Sequence, residues 1–369
     1  MQNRKDNPMW DKRSDMIVHE QDPFNAEPTP QVLAENDITP VDAFYSRNHG
    51  PVPDISADDW RLNVSGRVER PHVFTLDEIR RRFTTCAVTA TLQCAGNRRA
   101  GLIDVRPIPG EDPWGSGAVS TAEWRGARLA DILDAVGAED DPDLHVAFTG
   151  PDVSEVATPP QPYGSSIDIA KARSGEVLLA WGMNCQPLPR IHGGPVRIVV
   201  PGYIGARSVK WVTAITVIDA PTDNYFQASA YRILAPDANP EAAGPGDGIS
   251  LSTLPLNCDV LTHSDGDRVP AGPLTVGGYA QPGNGRRIDR VDVSTDGGTT
   301  WRQAELELPY GPWAWCRWTH TLCARPGSLF LVIWAFDDTA ATQPETPAAV
   351  WNPKGYANNS WPRITLHVI

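Results

Sequence analysis

Thr91-Leu-Gln-Cys-Ala-Gly-Asn-Arg-Arg99 follows the apolar run Cys86-Ala-Val-Thr-Ala-Thr-Leu92. The run reads as a buried strand, and the residues after it form a break carrying one thiol and two adjacent arginines. Nearby guanidinium groups are expected to favour the thiolate, because a thiolate gains Coulomb stabilisation beside a cation. A thiolate is a nucleophile or a soft metal ligand, and a lone cysteine after a strand is also a common small buried hydrophobe.

The flanking sequence narrows these readings. No cysteine-protease pattern surrounds Cys94, although His49, His145 and His192 could each serve as a base. The six cysteines form no CxxC or CxxCH, so neither a zinc site, a covalent haem nor a disulfide framework is indicated. A single thiolate fits a metal whose other ligands come from a cofactor dithiolene rather than from protein. A second dense stretch, Ile191-His-Gly-Gly-Pro-Val-Arg-Ile-Val-Val200, puts Arg197 in an apolar strand. The small-residue loop Gly202–Ala206 then leads into Arg207-Ser208-Val209-Lys210. Small residues let backbone N–H groups approach an anion, and the flanking Arg, Ser and Lys add donors for a cofactor phosphate. Neither a Walker loop nor GxGxxG is present, which disfavours a nucleotide fold. Arg47-Asn48-His49 lies in a Gly-Pro loop and is a third candidate anion contact.

The chain of 369 residues carries net charge −13. That balance disfavours nucleic acid as a partner and makes its clustered arginines conspicuous. The start of the sequence lacks a signal-peptide core, and no apolar run reaches the ~18 residues of a membrane span. The expectation is a cytoplasmic protein without membrane contact. Residues 1–30 read as an extended arm, 31–235 as a first domain of strands and short helices and 236–250 as a Pro/Gly-rich linker. Within 31–235, short helices are expected near 40–45, at 76–83, 126–137 and 166–173, with a turn at 150–152. Residues 251–369 alternate short strands with turns, Asp296-Gly-Gly among them, and read as an immunoglobulin-like sandwich.

Taken together, Phe44-Tyr-Ser-Arg-Asn-His-Gly-Pro51, Thr91–Arg99 and Gly205-Ala-Arg-Ser-Val-Lys-Trp211 resemble the hallmark segments of the sulfite oxidase family of molybdenum enzymes. The likeness runs from Asp22-Pro-Phe-Asn-Ala-Glu-Pro28 to Val350-Trp-Asn-Pro-Lys-Gly-Tyr356. It implies an α+β fold, a mixed α/β molybdopterin-binding domain followed by an all-β dimerisation sandwich. It further implies Cys94 as the molybdenum ligand, and Tyr45, Arg47, Asn48, His49, Asp152, His192, Arg197, Arg207, Ser208, Val209 and Lys210 around the molybdopterin. Arg47, Arg99, Trp114, Tyr231 and Lys354 would form the catalytic oxyanion pocket, while Arg98 keeps a structural reading. The family usually has Arg in a Trp-Asn-Leu-Arg-Gly segment where this chain has Lys354, which keeps the charge without the planar fork.

The implied reaction is oxygen-atom transfer that turns sulfite into sulfate in a homodimer. No haem or flavin segment is apparent, so the expected electron acceptor is dioxygen or an external cytochrome. In this the chain resembles the plant-type enzymes, though without their peroxisomal C-terminal tripeptide. Two alternatives remain from sequence. One is a nitrate reductase-type or other small-oxyanion or sulfoxide oxidoreductase on the same scaffold. The other is a non-catalytic molybdopterin carrier or sandwich-domain binding protein.

Overall fold

Burial along Thr85–Gln93 rises from an exposed first residue to a fully buried last four, so the strand delivers Cys94 into the interior. The computed structural model describes residues 9–369; the first residues of the expected arm, 1–8, lie outside the described residues. Thr85–Gln93 pairs antiparallel with Val119–Arg128, which pairs on its other side with Leu178–Met183. Gln186–Pro187 and Arg197–Val199 also pair with Leu178–Met183. A second, mixed sheet runs in the order His72–Thr75, Arg61–Gly66, Ala214–Ile218, His145–Ser154, Gln161–Asp168. Its one parallel pair is Arg61–Gly66 with Ala214–Ile218. An apolar core joins the layers, with Leu62, Phe148, Ile198 and Ile215 packed against Leu129, Ile132 and Leu133 of the short helix Leu129–Ala135. The architecture is α+β, sheet-rich with short helices.

Several local expectations are corrected. The helix expected over 126–137 starts at Leu129, because Gly126 is still in a strand. A Cβ at Gly126 would lie 2.1 Å from the Leu179 carbonyl oxygen, so the close strand pairing needs glycine there. The turn expected at 150–152 is instead a register shift inside the strand His145–Ser154. This bulge turns Asp152 inward, where it is 5% exposed. Residues 166–168 finish a strand, and only Ile169–Ala172 are helical, capped by Asp168, whose Oδ1 accepts from the Lys171 N–H at 2.7 Å. The helix expected near 40–45 is a turn, closed by Ala43 and Phe44 N–H groups on the Pro40 carbonyl.

The arm is not extended over its described part. Ile17–Gln21 and Phe24–Glu27 form a hairpin whose second strand is entirely buried. Polar residues can be buried there because they satisfy other backbone. Glu27 accepts from the N–H groups of Gly115 (2.7 Å) and Gly117 (2.8 Å) and contacts His19 Nε2 at 2.9 Å.

Residues beyond the linker form two packed sheets. Asn257–Val260, Gly272–Gln281, Cys316–Ala324 and Glu305–Leu306 make one. Arg268–Val269, Arg363–Val368, Gly327–Asp337, Ile288–Ser294 and Arg302–Gln303 make the other. Their inner faces share a separate core that includes Val276, Val291, Trp318, Ile333 and Leu366. The two parts meet at Arg98. Its Nη1 donates to Asn257 Oδ1 (3.0 Å) and the Ser360 carbonyl (2.8 Å), and its Nε lies 3.2 Å from Asp259 Oδ2. The pair is nearly buried, at 11% and 9% side-chain exposure.

Removing one partner of a buried pair strands the other charge. Arg98→Met should therefore lower unfolding free energy by about 3–5 kcal/mol, measured by denaturant unfolding with Arg98→Lys as the partial rescue.

Candidate active site

After Cys94 the chain turns tightly. Asn97 N–H bonds the Cys94 carbonyl at 3.0 Å, and Arg99 N–H bonds the Gly96 carbonyl at 3.0 Å. Arg98 takes a left-handed backbone, φ 63°, so the two adjacent guanidinium groups diverge. Arg98 goes to the sandwich and Arg99 returns over the thiol. Gly96 makes room for it, since a Cβ there would lie 2.6 Å from Arg99 Nη2.

The Cys94 side chain lines two adjoining cavities. The inner one is walled by Tyr45, Ser46, Asp152, Tyr163, His192, Arg197, Ser208 and Lys210. The outer one, about 940 Å³, is wider and carries Arg99, Glu111, Asp112, Lys354 and Tyr356. Arg47, Asn48, His49, Cys94 and Tyr231 line both.

Burial pushes the Cys94 thiol above its ordinary pKa, and Arg99 and Arg47 offset that only in part. This corrects the expectation of an easily ionised thiol: loss of solvation outweighs the cations. A bound metal would supply the missing stabilisation, because a coordinating thiol is deprotonated outright.

Around the inner cavity, Lys210 Nζ donates to the Arg47 (3.0 Å) and Ile191 (3.4 Å) carbonyls and to Asn48 Oδ1. Arg197 donates to the carbonyls of His192 (2.9 Å) and Ser208 (2.8 Å). Burial lowers Arg197 to about 10, so it stays charged at neutral pH. Burial also holds His49 and His192 well below the ordinary imidazole value, which keeps both neutral. Asp152 is pushed up to about 7 by burial, against the pull of Lys210, and its Oδ1 has no hydrogen-bond partner.

Around the outer cavity, Arg99 Nη1 donates to the Asp112 carbonyl (2.9 Å) and Nε to the Gly355 carbonyl (3.2 Å), with the guanidinium over the Tyr356 ring. Burial opposes the charge of Arg47, but Tyr231, Cys94, Asp112 and Glu20 more than offset it. Burial raises the Tyr231 phenol well above its ordinary value, so it remains an O–H, 2.5 Å from His49 Nε2.

Three sequence candidates do not face these cavities. Arg207 is fully buried and donates to Ser165 Oγ (2.8 Å) and to the Phe226 and Leu251 carbonyls (both 3.0 Å). Its charge braces the loop against the linker and does not reach a ligand. Val209 points into the main core, and its carbonyl accepts from Ile198 N–H at 2.8 Å. Trp114 is fully buried beside His19, ring centroids 4.5 Å apart, with its indole N–H unpaired. Other lining or bracing residues escaped the sequence reading. Tyr163 stacks on His49 with centroids 4.7 Å apart, and nothing in its local sequence marks it. Tyr356 follows Gly355 inside a segment that was singled out, so position could have flagged it. Lys12 Nζ donates to the Phe44 carbonyl (2.7 Å) and lies 2.7 Å from His192 Nε2.

Known families share this arrangement. Residues 49–226 match the oxidoreductase molybdopterin binding domain and residues 249–369 the Mo-co oxidoreductase dimerisation domain. Arabidopsis thaliana sulfite oxidase is 36% identical, over 95% of this chain and 93% of its own. The chain belongs to the sulfite oxidase family. Human mitochondrial sulfite oxidase is 41% identical over 95% of this chain, which spans 65% of the human protein's length. Among solved structures, the sulfane dehydrogenase SoxCD of Paracoccus pantotrophus superposes with TM-score 0.81 and 28% identity, covering 97% of this chain and 90% of that one.

The residues fit the family cofactor. Among the described residues no three His, Cys, Asp or Glu converge as a metal site, so Cys94 offers a metal one thiolate beside a cavity that could supply the rest. The orphaned Asp152 oxygen is an acceptor without a protein donor, as a pterin N–H would require. Arg47 and Arg197 give the charge that a cofactor phosphate needs, and Lys210, which burial and the neighbouring Arg197 hold well below its ordinary value, would gain its proton back beside that phosphate.

Lys12 couples this site to pH. Burial lowers it from 10.5 to about 7, with Asp42 opposing. The unfolded chain keeps that proton to higher pH than the folded one, so the Lys12 contribution to stability rises between pH 7 and 10 and is lost as pH falls through 7. Lys12→Met should flatten the rise of Tm between pH 7 and 9, read by calorimetry at matched cofactor content.

Proposed function

We propose that this protein oxidises sulfite to sulfate at a molybdopterin centre ligated by Cys94. The observation that carries the reading is the position of Cys94 on the wall of both an inner cavity lined by Arg197, Ser208 and Lys210 and an outer one that carries Arg99 and Lys354. Family membership and the sulfite oxidase relatives support the choice of substrate.

When bound, the molybdenum cofactor supplies the transferred oxygen atom and takes up the electron pair. The chain's own residues do the rest. Asp152, His192, Arg197, Ser208 and Lys210 hold the pterin end in the inner cavity. Arg47, Arg99 and Lys354 draw the oxyanion into the outer one and hold its oxygens, leaving the sulfur lone pair towards Cys94. Tyr231 keeps its proton and donates towards the reacting oxygen, with His49 fixing the phenol's orientation. Burial strengthens these interactions by excluding water. Lys354 offers a point charge without a fork, so it contributes attraction more than alignment.

The domain limits follow the notional divisions 31–235, 236–250 and 251–369, with the sandwich as the homodimer surface. Support comes from the separate cores and the dimerisation-domain match. The electron acceptor in this reading is an external cytochrome or dioxygen. Among the described residues no helix is long and apolar enough to cross a membrane.

Purified holoprotein should hold about one molybdenum per chain, as one thiolate implies, and reduce ferricyanide when given sulfite. Cys94→Ser should abolish turnover, and Arg99→Met should raise KM for sulfite by about tenfold or more. Loaded enzyme that ignores sulfite but turns over nitrate or a sulfoxide in parallel assays would replace this substrate with that one.

A further inference from the structure

Glu111 sits between the two cations of the outer cavity that come from distant parts of the chain. Its Oε2 lies 3.2 Å from Arg99 Nη2, and its Oε1 lies 3.6 Å from Lys354 Nζ. Each carboxylate oxygen thus faces one cation, as two oxygens of a small oxyanion would. Arg99 does not depend on Glu111 for its position. The Asp112 and Gly355 carbonyls already hold its guanidinium, and glycine at 355 is required for that approach, since a Cβ there would lie 2.6 Å from Arg99 Cγ. Lys354 differs: among the described residues Glu111 is its one charged partner. The carboxylate side chain is 19% exposed and stands on the short loop Pro109-Gly110-Glu111-Asp112-Pro113. Both Gly110 and Glu111 line the wide outer cavity, and a Cβ at Gly110 would meet nothing within 4 Å, so the turn that carries Glu111 is not packed against other chain at that point.

We propose that Glu111 is a built-in competitor for the oxyanion: its carboxylate bridges Arg99 and Lys354 in the resting site and leaves as an incoming oxyanion takes both cations. The inference rests on the reading of the outer cavity as an oxyanion site. It makes Glu111 a residue that sets affinity without touching the reaction. Displacement of an ion pair has a fixed cost, whichever anion arrives, because the same carboxylate leaves each time. A purely through-space repulsion would instead scale with the charge of the ligand.

The test is calorimetric binding of sodium sulfate and sodium nitrate to molybdenum-loaded wild-type and Glu111→Gln protein. Both anions should tighten by a similar factor of about fivefold, equal to about 1 kcal/mol. KM for sulfite should fall by the same factor, with the gain in KM rather than in kcat. Glu111→Ala should reproduce the change, which guards against a defect peculiar to the amide. Unchanged or weaker binding of both anions would overturn the proposal and make Glu111 a positioning group for the cations. A sulfate gain near the square of the nitrate gain would overturn it as well, in favour of repulsion. Should wild-type enzyme fail to oxidise sulfite, the two binding measurements still decide the role of Glu111, so the failures are separable.

Discussion

The left-handed backbone at Arg98 is the constraint on which both halves of the structure depend. Placing a non-glycine residue there costs roughly 1–2 kcal/mol, and the contacts it permits offset that cost. The chain reverses between two neighbouring arginines, so one side chain can be spent on architecture and the next on chemistry. Arg98 enters a pocket made by Asn257, Asp259 and Ser360. Arg99 turns back above Cys94 and is caught by carbonyls from two separate loops. The same few residues that join the sandwich to the catalytic part therefore aim the guanidinium at the thiol.

An acidic chain builds a cationic interior by using carbonyl oxygens as partners. Arg197, Arg207 and Lys210 are bonded chiefly to backbone oxygens and hydroxyls. Carbonyl dipoles solvate a cation without cancelling its charge, so the net positive field survives for a ligand. Apart from Asp152, the carboxylates at the cavities are on the outer wall, where Glu20, Asp22, Glu111, Asp112, Glu155 and Glu241 gather. The site is thus graded, cationic around Cys94 and acidic towards solvent.

Much of this was legible in the sequence. Apolar runs located the strand before Cys94, the strand carrying Arg197 and most of the sandwich, because a buried strand needs only a local pattern to announce itself. The cavity walls gathered Cys94, Arg47, Arg99, Tyr231 and Lys354 from four separate segments. What the pattern did not carry was direction. Arg207 lies among cavity residues in sequence yet points away from them, and Trp114 was expected in the pocket but packs behind it. The hairpin over residues 17–27 reads as an extended arm from sequence because its polar residues are satisfied by partners such as Gly115, 88 positions from Glu27. Glu111 carries no signal in the sequence, since neither of its cations is adjacent to it there.

Those long separations bear on biogenesis. Lys12 meets His192 across 180 positions, and Arg99 meets Gly355 across 256. On a ribosome the early half emerges first and must wait for its later partners. The inner cavity lacks its Lys12 brace on His192 until residues near 192 have appeared, and the outer cavity has no complete wall until the segment around Tyr356 has folded back. A chain in mid-synthesis can present Cys94 but not the enclosure around it. The wall around the outer cavity is therefore closed only by a segment near the end of the chain, and the stretch around Gly355 is the last panel of the vessel.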